Sequence, residues 1–492
     1  MHTKKNEVQK SIKKNTVYNA IKNVTSLFFP LITFPYISRV LQPDNLGKIN
    51  FGNSIISYFS LIASLGISTY AIRECAKLKN NRNELSSLSS ELFSINILTT
   101  FFSYIFLAIT LIFASPLSEY KLLIIVQSSS ILFTTLGAEW LNMAMEDFKY
   151  ITVRTICSHL LSVVLILLFV RDPDDYINYA IISVASSGMA NIANMICRRK
   201  YCKTKFVIHL NLKTHLKPIL ILFSTLLAQT IYLNTDITLL GFLCGDYEVG
   251  LYSTSVKIYQ IANTLVTSVT IVIIPRISIY FNLKNYEKIN DLIKSTLNFI
   301  IVFGLPVIVG INCVAPELIE IFAGSQYIGA VSSLRVLTIA LPFSAIANVI
   351  ANVILIPTGK EKNVLASCSF GALFNFLGNL FLIPHLGVIA AAVTTALSEL
   401  IVVILTSRFI NNQIKVENKL KMLISPIIGC LGIIGVTCVC NLLLSSLFIK
   451  FISIVVSSIL IYGSILVVLK NEFVIKNLTP LIQKIFKPNS LK

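Results

Sequence analysis

One stretch, from Asn23 to Lys77, limits the fold of this chain more than any other. It holds two long apolar segments separated at residues 42–48, and each segment exceeds the roughly 20 residues that cross a bilayer as a helix. Prolines at positions 30 and 35 and asparagines at positions 50 and 53 interrupt the apolar runs. Such residues are tolerated at membrane depth where they face protein or water. The stretch therefore predicts a helical hairpin that lines a hydrated path, and prolines that merely kink packed helices are the alternative.

The rest of the chain continues this apolar pattern. Of its 492 residues, 55% are hydrophobic and 13% are charged, and the mean hydropathy is +0.77. Such a chain lacks the polar surface of a soluble protein, so we predict an all-α polytopic membrane protein with about 14 transmembrane helices. The predicted domains are a six-helix bundle (residues 1–197), a cytoplasmic linker (198–216), a second six-helix bundle (217–410), and a C-terminal helix pair with a cytoplasmic tail (411–492).

The second half of the chain repeats the plan of the opening hairpin. An apolar run ends in a turn over residues 241–250, and a helix with several polar residues follows it. Placing Gly250 on Gly47 aligns the two hairpins, and both start and end on the inner side. The halves are therefore predicted to be parallel repeats. Chance similarity between two apolar hairpins is the alternative.

The distribution of positive charge predicts the orientation in the membrane. A net charge of +18 would suggest nucleic acid in a soluble protein, but no basic patch here lies on a soluble domain. Of the 41 lysines and arginines, Lys257 falls within a span, six fall on the outer side and the remaining 34 fall on the inner side. Positive residues concentrate in cytoplasmic segments, so both termini are predicted to be cytoplasmic.

Sequence motifs for enzymatic chemistry are not found. No phosphate-binding loop with a Gly-Lys-Ser or Gly-Lys-Thr ending occurs. Asp172-Pro-Asp174 resembles a metal-nucleotide motif, but it lies in a short outer loop and is typical of a turn. The outer loops are too short to form a domain that binds a glycan acceptor. We expect no enzymatic activity, no cofactor, no metal and no nucleic acid partner.

Four charged residues fall inside predicted spans, where each costs on the order of 2.5–3.5 kcal/mol without a partner or water: Glu139, Asp236, Lys257 and Glu399. Asp236 and Lys257 both lie about 15 Å below the outer turn, so they form either a structural ion pair or a pair that faces a cavity. Glu139 is either a proton site or a solvated carboxylate at the inner interface, where the neighbouring Trp140 would be an anchor. Glu399 is either a proton site or a buried hydrogen-bonded carboxyl.

Two arginines end the helices of the opening hairpin on opposite sides of the membrane. Arg39 lies at the predicted outer end and Arg73 at the inner end. Snorkelling of the side chain to the interface is one interpretation, and a gate that attracts anions is the other.

Several segments resemble the bacterial O-antigen repeat-unit flippases. The first set is Pro30 to Leu41, the turn at Gly47, Ser64 to Ile67, Arg73-Glu74 and Ala76-Lys77. The second set is Glu139-Trp140, Glu146 to Arg154, Tyr232 to Asp236, Gly250 to Tyr252, and Lys257-Ile258. The resemblance covers the first eight spans, and the last six carry no matching motif. That family belongs to the multidrug, oligosaccharidyl-lipid and polysaccharide exporter superfamily. The resemblance implies two six-helix bundles around a central cavity that opens alternately to either side.

The resemblance also implies a substrate, an undecaprenyl-pyrophosphate-linked oligosaccharide that is moved to the outer leaflet of the bacterial inner membrane. The implied partners are this lipid, membrane lipid, and the polysaccharide polymerase and chain-length machinery. The expected substrate-binding residues are Lys257, Arg39, Asn53 and Arg73, and the expected ion-coupling residues are Asp236, Glu399 and Glu139. A cation-coupled multidrug exporter of the same superfamily and a membrane glycan polymerase are the alternatives.

Overall fold

The computed structural model describes residues 2–208, 211–411, 414, 421–471 and 473–475, and every regular element among them is helical. The chain folds as two compact units, Met1–Gly250 and Leu251–Lys492. The helices of the first unit are α1 (His2–Ser64), α2 (Ile67–Lys77), α3 (Arg82–Phe113), α4 (Lys121–Gly137), α5 (Glu139–Ala144), α6 (Phe148–Phe169), α7 (Tyr176–Cys197) and α8 (Leu212–Leu243). Helix α9 (Asp246–Asn282) begins in the first unit and continues in the second. The second unit further contains α10 (Tyr286–Cys313), α11 (Ala315–Phe322), α12 (Ala330–Asn348), α13 (Glu361–Leu386), α14 (Val388–Ser407), α15 (Lys421–Leu443) and α16 (Leu447–Val468).

Twelve helices of the described part are long and apolar enough to cross a membrane. One of them is the bent segment Val17–Lys77, which holds both helices of the predicted hairpin, and Lys121–Gly137 is a shorter apolar helix. The predicted fold class is therefore confirmed, while the count of about 14 stays approximate. The basic side chains at positions 4–14 and the predicted cytoplasmic tail beyond residue 475 lie outside what the structure describes.

The opening hairpin bends at two points. Gln42 has φ 62° and ψ 171°, which interrupts α1. Proline forces the preceding residue out of the helical conformation and fits well at the first position of a helix, so Pro43 starts the next helical segment. The second bend, at Leu65 and Gly66, has φ values of 44° and 76° and separates α1 from α2. The predicted hinge is thus found at Gln42, but residues 43–48 are helical rather than a turn.

Two glycines bring the backbone of α1 against the first turn of α9. A Cβ atom at Gly47 would lie 1.8 Å from the carbonyl oxygen of Asp246, and a Cβ atom at Gly250 would lie 2.1 Å from that of Pro43. The contact is reciprocal. Gly47 touches Asp246, which lies four residues before Gly250, and Gly250 touches Pro43, which lies four residues before Gly47. Tyr120 donates a hydrogen bond of 2.8 Å to Asp246 Oδ1. The two glycines that the predicted repeat makes equivalent therefore share one close contact.

Residues 203–207 of the predicted linker lie along α3. Backbone N–H groups of every second residue in 203–207 donate to serine hydroxyls that are four residues apart in α3. The pairs are Lys203 with Ser86 at 3.3 Å, Lys205 with Ser90 at 3.0 Å and Val207 with Ser94 at 2.8 Å. Alternate residues of an extended segment point the same way, and residues four apart share a helix face, so the two spacings match. The predicted domain boundaries at 198–216 stay a prediction.

Polar contacts fasten the last two helices of the second unit. Helices α15 and α16 pack on α10, where Tyr462 donates a hydrogen bond of 2.6 Å to the carbonyl oxygen of Val302. Lys450 of α16 forms an ion pair of 2.5 Å with Glu317 of α11, whose side chain is 8% exposed. These contacts hold the C-terminal helix pair in a defined place on the second unit.

Candidate functional site

One carboxylate of the first unit joins three helices. Ala138, whose φ of 43° and ψ of 49° are left-handed, separates α4 from the short helix α5, which Glu139 begins. Its Oε1 lies 3.2 Å from Nζ of Lys22 in α1, and its Oε2 lies 3.1 Å from Nη2 of Arg154 in α6. Arg154 also donates to the carbonyl oxygen of Ala190 in α7 at 3.0 Å. Glu139 is therefore a paired carboxylate, which speaks against the solvated interpretation.

The neighbouring Trp140 is a core residue. It is 5% exposed and belongs to a buried cluster with Tyr70, Cys75 and Leu141. An interfacial anchor would instead hold its ring among the lipid head groups. The interpretation of Trp140 as an anchor is therefore wrong, because the break at Ala138 starts a separate helix that turns the ring into the first unit.

Asp236 lies on α8, which packs against α1 in the first unit. The residue is 7% exposed and within electrostatic reach of the Tyr58 hydroxyl. That hydroxyl lies 3.2 Å from Oγ1 of Thr238, which donates to Oγ of Ser54 at 3.0 Å. A buried carboxylate beside a chain of hydroxyls is a suitable place to hold a proton or a cation. The predicted pairing of Asp236 with Lys257 stays a prediction.

The two arginines of the opening hairpin are exposed. Arg39 donates to the carbonyl oxygen of Pro35 in its own helix at 2.8 Å. Arg73 forms an ion pair of 2.9 Å with Glu74 and lies 5.6 Å from the ring centroid of Tyr70. Snorkelling of these two side chains to the membrane surface and their role as anion-binding gates both stay predictions.

A cavity of about 140 Å³ lies between α1, α4 and α7 of the first unit, and Asn53 lines it. The other polar lining residues are Gln127 and Ser130 of α4 and Ser183 and Ser187 of α7. Residues three or four positions apart lie on one face of a helix, which places the two side chains of each pair towards the same space. Asn53 is exposed, so the cavity is open on the side of this residue. Asn53 is thus a polar residue of the opening hairpin that lines a cavity, and its role in substrate binding stays a prediction.

Lys257 and Glu399 are the predicted site residues of the second unit. Lys257 lies on α9, Glu399 lies on α14, and both are half-buried. Glu399 is within electrostatic reach of Tyr259 and Cys368. The roles of Lys257 in substrate binding and of Glu399 in ion coupling stay predictions.

A buried amide and hydroxyl network joins α13 and α14 in the second unit. Thr394 donates to Oδ1 of Asn379 at 2.5 Å, and Asn379 Nδ2 donates to Oδ1 of Asn375 at 3.2 Å. All three residues are at most 1% exposed. These residues are not among the predicted site residues, although two asparagines one turn apart in an apolar span are a usable signal. In the described ranges, no group of three or more His, Cys, Asp or Glu residues is placed to hold a metal ion.

Sequence reasoning also missed the partners of Glu139 and most of the cavity. Lys22 and Arg154 fall near the inner ends of predicted spans, at the same end of the membrane as Glu139, and this shared level was the signal that could have identified them. The serines of α7 could have been found from their helical spacing. The glutamine at position 127 stands alone among apolar residues and serines, and it carries no comparable pattern.

Comparisons with known proteins agree with this architecture. A "Putative O-antigen transporter" of Shigella dysenteriae is 24% identical over 398 residues, which cover 80% of this chain and 98% of that protein. A protein of the same name from Escherichia coli K12 is 23% identical over 407 residues, which cover 82% and 97%.

Solved structures show the fold. Lipid II flippase MurJ, in an inward closed conformation, has a TM-score of 0.71 at 17% identity and covers 94% of this chain and 99% of its own. An inward-facing multidrug resistance MATE family transporter of the MOP superfamily has a TM-score of 0.62 at 14% identity and covers 82% and 100%. The chain therefore has a MurJ- and MATE-like transporter fold. The profile of a family described as "Polysaccharide biosynthesis protein" matches residues 12–281, which is more than half of the chain, and the chain belongs to that family.

Proposed function

We propose that this protein is a flippase that moves undecaprenyl-pyrophosphate-linked oligosaccharide repeat units from the cytoplasmic to the outer leaflet of the bacterial inner membrane by alternating access. One observation carries the proposal: relatives named as O-antigen transporters match over 97–98% of their own length. The likeness therefore extends over the whole transport unit of those relatives. Like them, the chain is a transporter rather than an enzyme.

The physical chemistry of such a substrate supports the proposal. A sugar head group carries many hydroxyls, and each costs several kcal/mol to place in hydrocarbon without a hydrogen bond (about 4–8 kcal/mol on the most apolar scale). A polar path through the protein removes this cost, while the polyprenyl tail stays in lipid. Moving about two negative charges outward across 100 mV, inside negative, gains about 4–5 kcal/mol. The membrane potential thus assists export.

Cationic residues are proposed to bind the pyrophosphate. Charge-assisted hydrogen bonds from lysine and arginine suit phosphate oxygens. We assign this role to Lys257 and Arg39, and we assign Arg73 to the cytoplasmic entrance. The exposed positions of the two arginines support access to a head group from water.

The proposed coupling ion, a proton or another cation, would bind at Asp236 or Glu399. Asp236 is buried beside hydroxyls, which supports this role. Glu139 is the weaker candidate, because a coupling ion would have to displace its two ion pairs with Lys22 and Arg154.

The proposal includes the surroundings of the protein. Its excess of inner-side lysine and arginine supports an orientation with both termini in the cytoplasm. Once on the outer leaflet, the repeat unit would pass to the polysaccharide polymerase and chain-length machinery.

Complementation tests the proposal. The chain is expressed in bacteria that make the cognate repeat unit and lack their own flippase, and surface polysaccharide is measured by gel and by antibody. Restored polysaccharide supports the flippase function, and accumulation of lipid-linked repeat units on the inner side despite normal protein levels contradicts it.

Variants of Lys257 then test the anion-binding role. We expect Lys257→Ala to lower export at least tenfold and Lys257→Arg to retain most of it. Lys362→Ala, which removes an exposed lysine from the same unit, is the matched control. Full export by Lys257→Ala at normal protein level would exclude the role of this lysine without excluding the flippase.

A cation-coupled multidrug exporter is the second candidate, because MATE transporters share the fold. The same strains decide between the two. An exporter of cationic drugs would lower the susceptibility of the cells to cationic dyes and leave the surface polysaccharide absent.

A further inference from the structure

We propose that the cavity between α1, α4 and α7 is a carbohydrate subsite that binds one neutral sugar ring of the transported head group. The inference rests on the proposed function and adds to it a separate place for the sugar, distinct from the cations that meet the pyrophosphate. All lining residues belong to the first unit.

The serines of the lining present hydrogen-bond acceptors to the cavity. The hydroxyls of Ser130, Ser183 and Ser187 lie 2.7–2.9 Å from backbone carbonyl oxygens of their own helices. Each hydroxyl donates its hydrogen bond to that carbonyl, so its lone pairs can accept hydrogen bonds from a ligand in the cavity. None of the eight lining side chains ionises at neutral pH. Because the exposed amide of Asn53 adds donors to these acceptors, a neutral molecule with several hydroxyl groups is complementary to the surface, whereas no lining side chain balances the charge of a pyrophosphate.

Gln127 supplies a buried acceptor that is left over for a ligand. The residue is 3% exposed, and its Nε2 donates to the carbonyl oxygen of Ile49 at 3.0 Å. Its Oε1 is buried and has no hydrogen bond to any residue that the structure describes. A buried carbonyl oxygen left unpaired is costly, so a water molecule or a ligand hydroxyl that pairs with it stabilises the folded protein. A sugar hydroxyl in the cavity is such a group.

Gly52 places this amide. A Cβ atom at Gly52 would lie 2.3 Å from Oε1 of Gln127, so only glycine lets the amide lie against α1 at this height. The orientation of Gln127 is thus fixed from two sides, by the bond to Ile49 and by the clearance at Gly52. A fixed acceptor suits recognition, because little rotamer entropy is lost on binding.

The size and depth of the cavity fit one sugar ring. About 140 Å³ corresponds to roughly five water molecules of about 30 Å³ each. That volume is of the order of one monosaccharide and too small for an oligosaccharide. At 1.5 Å per residue, the polar lining lies about 9–17 Å from the outer ends of its helices, within the hydrocarbon layer of about 30 Å. A sugar that crosses the membrane reaches this depth.

Binding of two lipid probes to the full chain in nanodiscs tests the subsite. The probes are undecaprenyl pyrophosphate and the lipid-linked repeat unit extracted from flippase-deleted cells. The wild type is expected to bind the glycosylated lipid about tenfold more tightly than the bare lipid. Gln127→Leu and Ser130→Leu are each expected to lose this tenfold difference and to keep the affinity for the bare lipid.

Two further variants control for folding and for position. Ser129→Leu changes the adjacent residue of α4, which does not line the cavity, and is expected to bind both probes as the wild type does. Gly52→Ala changes no lining residue but displaces the Gln127 amide, and it is expected to lose the preference for the glycosylated lipid.

The other outcomes overturn the subsite. Unchanged preference in both leucine variants would mean that the cavity holds water only. Equal loss for both probes would mean general damage rather than sugar recognition. A rise in thermal stability with sodium alone that Gln127→Leu abolishes would mean a cation site. A wild type that binds both probes equally refutes the subsite alone, whereas one that binds neither refutes the proposed function as well.

Discussion

Replacing Gly47 by alanine is the sharpest test of how the first unit is packed. In an isolated helix, alanine is favoured over glycine by about 1 kcal/mol, so the substitution would stabilise α1 if nothing lay nearby. The structure predicts the opposite sign. The new Cβ would lie 1.8 Å from the carbonyl oxygen of Asp246, while real Cβ atoms essentially never approach closer than 3.0 Å. The two backbone segments must therefore move apart by at least 1.2 Å.

The magnitude follows from the atoms that clash. Carbonyl oxygens of a helix cannot rotate away as a side chain can, so the shift opens the whole contact between Gly47 and the start of α9. Overpacking of this kind costs about 1–3 kcal/mol, occasionally more. After subtracting the gain in helix propensity of about 1 kcal/mol, we expect a net loss of about 1 kcal/mol. For a unit of 250 residues this lowers the Tm by about 2–4 °C.

A thiol-reactive fluorogenic dye measures the effect. Cys75 and Cys202 are fully buried in the first unit, so they react with the dye when this unit unfolds. Gly435→Ala is the matched control, because Gly435 is an exposed helical glycine whose new methyl group would meet no atom of the described chain within 4 Å. The Tm of this variant should stay unchanged or rise by about 2–4 °C. The double variant Gly47→Ala/Gly250→Ala should lose less than the sum of the single losses, since both glycines serve one contact. A Tm of Gly47→Ala at or above that of the wild type would refute the close packing.

Three further predictions concern polar contacts. Glu139→Gln should destabilise the first unit by about 2 kcal/mol in thermal unfolding, because Arg154 is 8% exposed and loses its counter-charge. The 30% exposure of Glu139 keeps the cost below that of a fully buried pair. No change in Tm would contradict this prediction. Lys450→Met should lower the free energy of unfolding by about 3 kcal/mol, because it leaves the buried Glu317 unpaired. Labelling of Cys430 and Cys440 should then become faster than in the wild type. Equal labelling rates would contradict this prediction. Burial and the hydrogen bond to a carboxylate raise the pKa of Tyr120, so its contribution to stability is complete below about pH 10 and is lost as the pH rises above that value. Tyr120→Phe should therefore show a smaller alkaline loss of Tm than the wild type, and identical pH profiles would refute this assignment.

The charged residues show where sequence reasoning stops. A carboxylate in an apolar span must find a partner or water, and this rule selected Glu139 correctly as a residue that needs an explanation. The rule does not name the partner. Lys22 lies 117 residues before Glu139 and Arg154 lies 15 residues after it, and only packing brings them to 3.2 and 3.1 Å.

The cavity is a second case in which the sequence indicates polar residues but not which of them come together. The helical spacing of Ser183 and Ser187 places them on one face of α7, and Asn53 is an evident polar residue in an apolar helix. Which face of α7 meets α1 and α4 depends on the rotation of each helix about its axis. The hydropathy of these helices does not fix that rotation, so the cavity that Asn53 and Gln127 both line could not be predicted.

The sequence by itself determined the membrane class, the helical fold and the position of the first hinge. These depend on short-range physics, namely the length of apolar runs and the steric effect of Pro43 on Gln42. Only the tertiary structure decided that Gly47 and Gly250 touch the backbone of each other's helix and that Trp140 is buried. The same holds for Gln127, which lines a cavity and has a buried side-chain oxygen without a hydrogen bond to the described residues. These features depend on distances between residues that are far apart in the chain, and local sequence does not encode the relative rotation of packed helices.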